Sequence, residues 1–301
     1  MKPIAVLCSD IHLQERPPVV RSNEPSWWAA MQRPFDEIGS FGVPIFYAGD
    51  IFNHWRSPPE LINWAIQHLP PGFAVPGQHD LPLHNLLDLH KSAFFTLLET
   101  GTLSLLMPDK PTLIGKKIRA WGFAWGQPLR SCSIKKEPDR INLAIVHAYV
   151  WRQGYNFPGA TEETRVSAYA KALHGYDAAV FGDNHKGFTT YKSGCNVINA
   201  GTLMRRTIDE INYCPQVGLL MEDGTIEPYQ LDCSEDKLLP RTEAKLIEEE
   251  TFKMESFLQE LEKLGHTNLD FRQAVLDYLI TYKVSKAAQT ILKYALDHAH
   301  D

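Results

Sequence analysis

Five short segments of this chain gather side chains that can hold a metal ion: Ser9-Asp10-Ile11-His12, Gly49-Asp50-Ile51-Phe52-Asn53, Gly77-Gln78-His79-Asp80, the single His147, and Gly182-Asp183-Asn184-His185. They offer imidazoles, carboxylates and one amide, the donors of a hard or borderline divalent cation. No thiolate is present to select zinc or an iron–sulfur cluster. In an extended Asp-x-His segment residues i and i+2 share a face, so Asp10 and His12 are expected to point the same way. A glycine before Asp50 and before Asp183 lets the backbone turn tightly and deliver each carboxylate. One such fragment alone reads as a turn, a loop or a hydrogen-bonded core histidine. The case rests on five in order.

Each segment closes an apolar run. The runs Ile4–Cys8, Val43–Tyr47, Phe73–Val75, Leu143–Val146 and Ala178–Phe181 are short, rich in Val, Ile and Phe, and bounded by Gly, Pro or Asp, which is the pattern of buried strands. In open α/β sheets ligands bind beyond the carboxyl ends of the strands, where these residues fall. Helices are expected over 25–38, 59–69, 84–100 and 162–174, and mostly strand from Lys192 to Leu231. Beyond that the pattern changes. Met254, Phe257, Leu258, Leu261 and Leu264 begin a helical spacing that fits three amphipathic helices. The chain therefore divides into a catalytic region, 1–232, and a three-helix extension, 233–301.

Composition narrows the class. The 301 residues carry a formal charge of −6, with 44% hydrophobic and 22% charged residues, which excludes wholesale disorder. No apolar run approaches the roughly 20 residues of a membrane span. The N-terminal run meets Asp10 too early for a signal peptide. Five cysteines without a Cys-x-x-C suggest neither a disulfide framework nor a zinc knuckle, and the cytoplasm is the simplest home. The acidity argues against a broad basic nucleic-acid surface. It is uneven, however: residues 233–301 hold a net −4 and residues 1–232 a net −2.

The ordered set Asp10-x-His12, Gly49-Asp50-x-x-Asn53, Gly77-Gln78-His79-Asp80, His147, Gly182-Asp183-Asn184-His185 resembles the calcineurin-like metallophosphoesterase superfamily over about three-quarters of the chain. The resemblance implies a four-layer αββα sandwich with a C-terminal helical extension, and two divalent cations, Mn²⁺ or Mg²⁺. Asp50 would bridge them. Asp10, His12 and His185 would complete one shell, and Gln78, His147 and Asp183 the other. His79 would be general acid or transition-state stabiliser, with Asp80 orienting it. Gln78 stands where the family has Asn, and Asp183 where it has His; both fall on the second shell. The extra carboxylate favours Mn²⁺ or Mg²⁺ over Zn²⁺.

Within that superfamily, Ala48–Phe52 and Asn199–Arg206 look like elements of the SbcD-type and bacteriophage recombination and repair nucleases. The helical tail stands where those proteins dock a coiled-coil ATPase. This resemblance implies a DNA exo- or endonuclease with DNA as substrate, an ATPase subunit as partner, and a homodimer. Asn53, Arg152, Lys186, Arg205 and Arg206 are the candidate substrate contacts, and each of the four basic residues is equally open to a solvated or salt-bridged surface role. Trp151, Tyr155 and Phe157 either stack a base or pack a loop. Two bound cations would turn the −2 of residues 1–232 into a formal +2. Two other readings stand: a nucleotide or small-molecule phosphatase or phosphodiesterase, and a non-catalytic scaffold.

Overall fold

The computed structural model describes residues 2–247. In chain order the regular elements are β1 (Pro3–Cys8), α1 (Trp27–Gly39), β2 (Ile45–Ala48), α2 (Pro59–His68), β3 (Gly72–Val75), α3 (Ala93–Glu99), β4 (Leu103–Leu105), β5 (Thr112–Ile114), β6 (Ile118–Phe123), β7 (Ile141–His147), β8 (Ala178–Gly182), β9 (Phe188–Lys192), β10 (Cys195–Asn199), β11 (Gln216–Met221) and β12 (Ile226–Gln230). They form two mixed six-stranded sheets, ordered β12-β11-β1-β2-β3-β4 and β5-β6-β7-β8-β10-β9. This is the expected α/β sandwich. The five runs that carry the candidate ligands are β1, β2, β3, β7 and β8, parallel neighbours within their sheets.

The pleat explains the layers. Alternate residues of β1 and of β7 face opposite ways. Ala5 and Leu7 meet Leu143, Ile145 and Val180 in the core between the sheets, while Val6 and Cys8 join a second core with Met31, Phe35 and Ile38 of α1. The helical face of α1 follows from that i, i+4, i+7 spacing. Its start is capped by Ser26, whose Oγ accepts from Ala29 N. The outer face of the second sheet is covered differently. Trp121, Val146, Phe181 and Tyr176 form a third core there, closed by irregular chain.

Two helix expectations are corrected. Residues 84–100 divide at Ser92 into a 3₁₀ segment (Leu86–Lys91) and α3, because Ser92 Oγ accepts from Phe95 N and caps a new start. Residues 162–174 form short 3₁₀ turns, Glu162–Thr164 and Ala168–Ala170. Their backbone pairs instead with Trp151: its N–H donates to Thr164 O and its carbonyl accepts from Val166 N.

The first compact unit is Met1–Leu239 and the second Pro240–Asp301. Residues 233–239 thus belong with the sandwich. Their anchor is Asp236, whose carboxylate takes Arg21 at 2.8 Å, Arg33 at 2.9 Å and Arg205 at 2.8 Å. The described part of the second unit is helical over 241–247; the three helices expected beyond it lie outside the described residues. No described helix is long and apolar enough to cross a membrane.

The Arg21 and Glu24 side chains are each 1% exposed, so removing the cation leaves a buried carboxylate with only Arg33, at 3.3 Å, and Lys237 N. Arg21→Met should lower unfolding free energy by about 3 kcal/mol. Urea denaturation checks it; a shift below about 1 kcal/mol would mean that the network is wet and weak.

Candidate metal centre

The strand ends do not simply stop. β1 and β2 go on pairing past their last residues, with Asp10 N donating to Gly49 O and His12 N to Asp50 O. To do so and still turn inward, four candidate ligands adopt left-handed backbone: Asp10 (φ 51), His12 (φ 50), Asp50 (φ 53) and Asp183 (φ 81). This corrects the extended Asp-x-His expectation, since turns and not pleat alternation aim the two side chains. Each such residue costs roughly 1–3 kcal/mol, strain of a kind that clusters at functional sites. Gly49 has the tight turn expected (φ 89), and a Cβ there would strike the His147 ring. Gly182 is needed for close approach instead: its φ is not positive, and a Cβ would meet Ala48 O and His147.

Asp10, His12, Asp50 and His147 are buried. They fall into overlapping clusters: Asp10 with His12 and His185, Asp10 with Asp50 and His147, and His12 with Asp50 and His79. Asp50 occupies the middle. Its Oδ1 accepts from His79 N at 2.9 Å. Its Oδ2 is buried with no hydrogen-bond partner, 3.7 Å from His12 Nε2 and 3.5 Å from His147 Nε2. Gln78 and Asp183 join from the side, where the Gln78 amide spans His147 Nε2 (2.6 Å to Oε1) and Asp183 Oδ1 (2.7 Å from Nε2). All seven expected ligand residues are therefore brought together.

The residues fit a cation. A buried carboxylate oxygen without a donor is costly unless something positive meets it. His185 commits Nδ1 to Glu210 Oε1 at 3.0 Å, which turns its Nε2 toward His12 Nε2, 3.2 Å away. Two imidazole nitrogens facing each other need a shared proton or a cation between them. His147 donates Nδ1–H to Ala48 O at 2.6 Å, so Nε2 is its site-facing atom. Asp10, His12, His185 and Asp50 could hold one ion, and Asp50, Gln78, His147 and Asp183 a second.

Burial and neighbouring charges shift the titrating groups of the site in opposite directions. Burial pushes Asp10 up to about 6, against the pull of His185 and His147. Burial alone would lower His147, but the charges of Asp50, Asp10 and Asp183 carry it up to about 10. In Asp50 the balance falls the other way, since His147 outweighs burial and holds the carboxyl below its usual range. His12 is held well below the ordinary histidine value by burial and by Arg206.

His79 is exposed, its ring edge-on to His12 at 4.9 Å between centroids. Its Nδ1 bonds to Asn53 O at 3.0 Å, leaving Nε2 for the cleft. Asp80 acts on the loop and not on that ring: its carboxyl accepts from Ile51 N, Phe52 N and Gly77 N at 3.0–3.2 Å. Burial and Asp50 push it up to about 7, against those three donors.

The expected substrate contacts separate. Arg206 reaches Asn53 Oδ1 at 2.6 Å; its Nε is buried without a partner, and burial lowers it to about 10 against the attraction of Glu210, Asp10 and Asp50. Arg205 turns away, engaged with Asp236, Ile211 O and Cys233 O. Arg152 lies over Tyr155, and Lys186 over Phe157 with Nζ on Asn156 O. Trp151 is buried, with Nε1 on Thr161 O.

Sequence reasoning missed Glu210. Besides His185, it accepts from Arg206 N at 2.7 Å and Thr207 N at 3.0 Å through Oε2, within a Thr207-x-x-Glu210 capping box. That spacing is readable as a turn signature, but its contact with His185, 25 residues away, is not.

No protein-family model matches the chain, and no curated protein matches it in sequence. Solved structures to which it is similar include an archaeal phosphodiesterase at 13% identity, covering 75% of this chain and 99% of that one, with a TM-score of 0.40. A metallophosphoesterase from Sphaerobacter thermophilus shows 13% identity over 76% and 88%, TM-score 0.37. A phosphopantetheinyl hydrolase from Mycobacterium tuberculosis shows 13% over 66% and 89%, TM-score 0.39. At that identity what those proteins act on is theirs, and the reading of this site rests on its own residues.

Two outcomes follow. Glu210→Gln should weaken Mn²⁺ binding by roughly 10-fold or more, because His185 loses the carboxylate that fixes its ring; calorimetric titration would show it, and unchanged affinity would remove Glu210 from the centre. Without a cation both His147 nitrogens face acceptors, Ala48 O and Gln78 Oε1, so at pH 7 the ring is protonated and must release about one proton to ligate. Affinity should therefore rise with pH between 6 and 9, and binding heats should depend on buffer ionisation enthalpy. Buffer-independent heats would contradict this.

Proposed function

We propose that this protein is a metal-dependent phosphoesterase of the calcineurin-like type, with DNA as its substrate in recombination or repair. The observation that carries the phosphoesterase reading is the Asp50 carboxylate, buried between His12 and His147 with Oδ2 unpartnered, beside an exposed histidine tethered by Nδ1. When bound, two divalent cations polarise a phosphoryl group and acidify water. Mn²⁺ suits a set this rich in carboxylate.

The chain's own residues supply the rest. Asn53 O accepts from Nδ1 and orients the His79 ring, so that in its protonated form Nε2–H can pass a proton to a leaving oxygen, as general acid. Arg206 occupies Asn53 Oδ1, so the Asn53 amide offers a phosphate its Nδ2–H donors, beside the charge of the Arg206 guanidinium. These are charge-assisted donors of the kind phosphate selects. The DNA reading is supported by the Ala48–Phe52 and Asn199–Arg206 segments. A second reading, a nucleotide or small phosphoester as substrate, is favoured by the engagement of Arg205, Arg152 and Lys186 with protein partners. That leaves recognition to Asn53, Arg206 and the cations.

The test offers purified protein linear duplex, closed-circular and single-stranded DNA and a small phosphodiester, each with Mn²⁺, Mg²⁺ or chelator. Mn²⁺-dependent DNA cleavage is expected, with kcat falling about 10²–10⁴-fold in His79→Ala. Cleavage of the small ester alone would defeat the DNA reading. No turnover on any substrate would leave a scaffold.

A further inference from the structure

The sandwich carries a second reactive pair, away from the candidate ligands. Cys214 precedes β11 and Cys233 follows β12, and the antiparallel register Gln216↔Gln230, extended by Leu231 N on Pro215 O, brings these strand ends side by side. Both sulfurs turn to one carbonyl: Cys233 Sγ lies 3.2 Å and Cys214 Sγ 4.0 Å from Leu231 O. The two thiols are close enough for Cys214 to act electrostatically on Cys233. Cys214 is exposed and Cys233 half-buried, whereas Cys8 and Cys195 are buried and Cys132 lies elsewhere, its Sγ on Ile134 O.

We infer that Cys214 and Cys233 are a redox-active dithiol that closes to a disulfide on exchange with a low-molecular-weight disulfide such as oxidised glutathione. Cys214, the exposed thiol, reacts first. It loses its proton and attacks one sulfur of the reagent; that S–S bond breaks, and one glutathione leaves as thiolate and takes up a proton. Cys233 then loses its proton and attacks the Cys214 sulfur, displacing the second glutathione. Two protein thiols are oxidised and the reagent's disulfide is reduced to two thiols. No metal or substrate takes part, so the inference stands apart from the proposed function.

Adjacency is what makes the second step favoured. A thiol that shares the Leu231 carbonyl resolves the mixed disulfide within the molecule, while Cys233 alone is poorly reactive, because burial and the neighbouring Cys214 push it up to about 11. The cross-link would also join two segments already tied by Arg205, which donates to Cys233 O and to Asp236. One of these segments carries Arg206 and Glu210.

The full chain is equilibrated with glutathione and its disulfide over a range of ratios, acid-quenched, and examined by thiol counting and by peptide mapping without reduction. The wild type should lose two of its five thiols, with Cys214 and Cys233 in one cross-linked peptide pair and no lasting glutathione adduct. Cys233→Ser should instead carry glutathione on Cys214, and Cys214→Ser should form neither product at the same ratio. A lasting adduct on wild-type Cys214, or both thiols still free where Cys233→Ser is modified, would overturn the inference. So would absence of an adduct from Cys233→Ser.

Discussion

Two carboxylates, Asp10 and Asp50, are buried side by side with one oxygen of Asp50 left unpartnered, and much of the molecule is arranged around that pair. Like charges taken out of water repel strongly and lose their hydration. Within the chain the countercharges at hand are the imidazoles of His147 and His185 and the guanidinium of Arg206. They account for the pattern of shifts, with Asp10 carried up to about 6 and His147 up to about 10. A cation at the Asp50 oxygen relieves all of these at once. The left-handed backbone at Asp10, His12, Asp50 and Asp183 is the strain accepted to make them converge.

Such convergence needs rigid support, and the loops behind the ligands supply it through backbone hydrogen bonds. Asp80 ties the turn after β2 to the turn after β3. Asn184 holds Val150 O and Tyr155 O, and Asn199 holds the carbonyls of Asn184 and Lys186. Thr202 Oγ1 donates to Asp10 O and Leu203 N reaches the same carbonyl, so the Asn199–Arg206 segment backs the first ligand turn before Arg206 enters the site. Glu210 closes the ring by fixing His185. The Asn199–Arg206 segment thus has a structural duty here whatever the substrate is.

The five ligand-bearing strands were legible because each is an apolar run ended by a residue type with few other reasons to sit there. What spacing could not show was how those residues turn inward. Extended alternation at Asp10 and His12 gave way to paired left-handed turns, because the loops keep hydrogen-bonding after the strands end. The helix expected over 162–174 failed for a similar reason: local pattern was overridden by pairing with Trp151, a partner distant in sequence. Arg205 and Arg206 are adjacent and identical in type, yet one serves Asp236 and the other the site. Only tertiary contact separates them. Glu210 was invisible as a site residue for the same cause.

In the proposed phosphoesterase Asp50 would be the carboxylate common to both ions. Elemental analysis of Mn²⁺-loaded, gel-filtered protein, wild type against Asp50→Ala, measures this most directly. About two ions per chain are expected for the wild type and loss of both in the variant, as a carboxylate serving both sites would require. A variant that retains two ions, or a folded wild type that binds none, would contradict it.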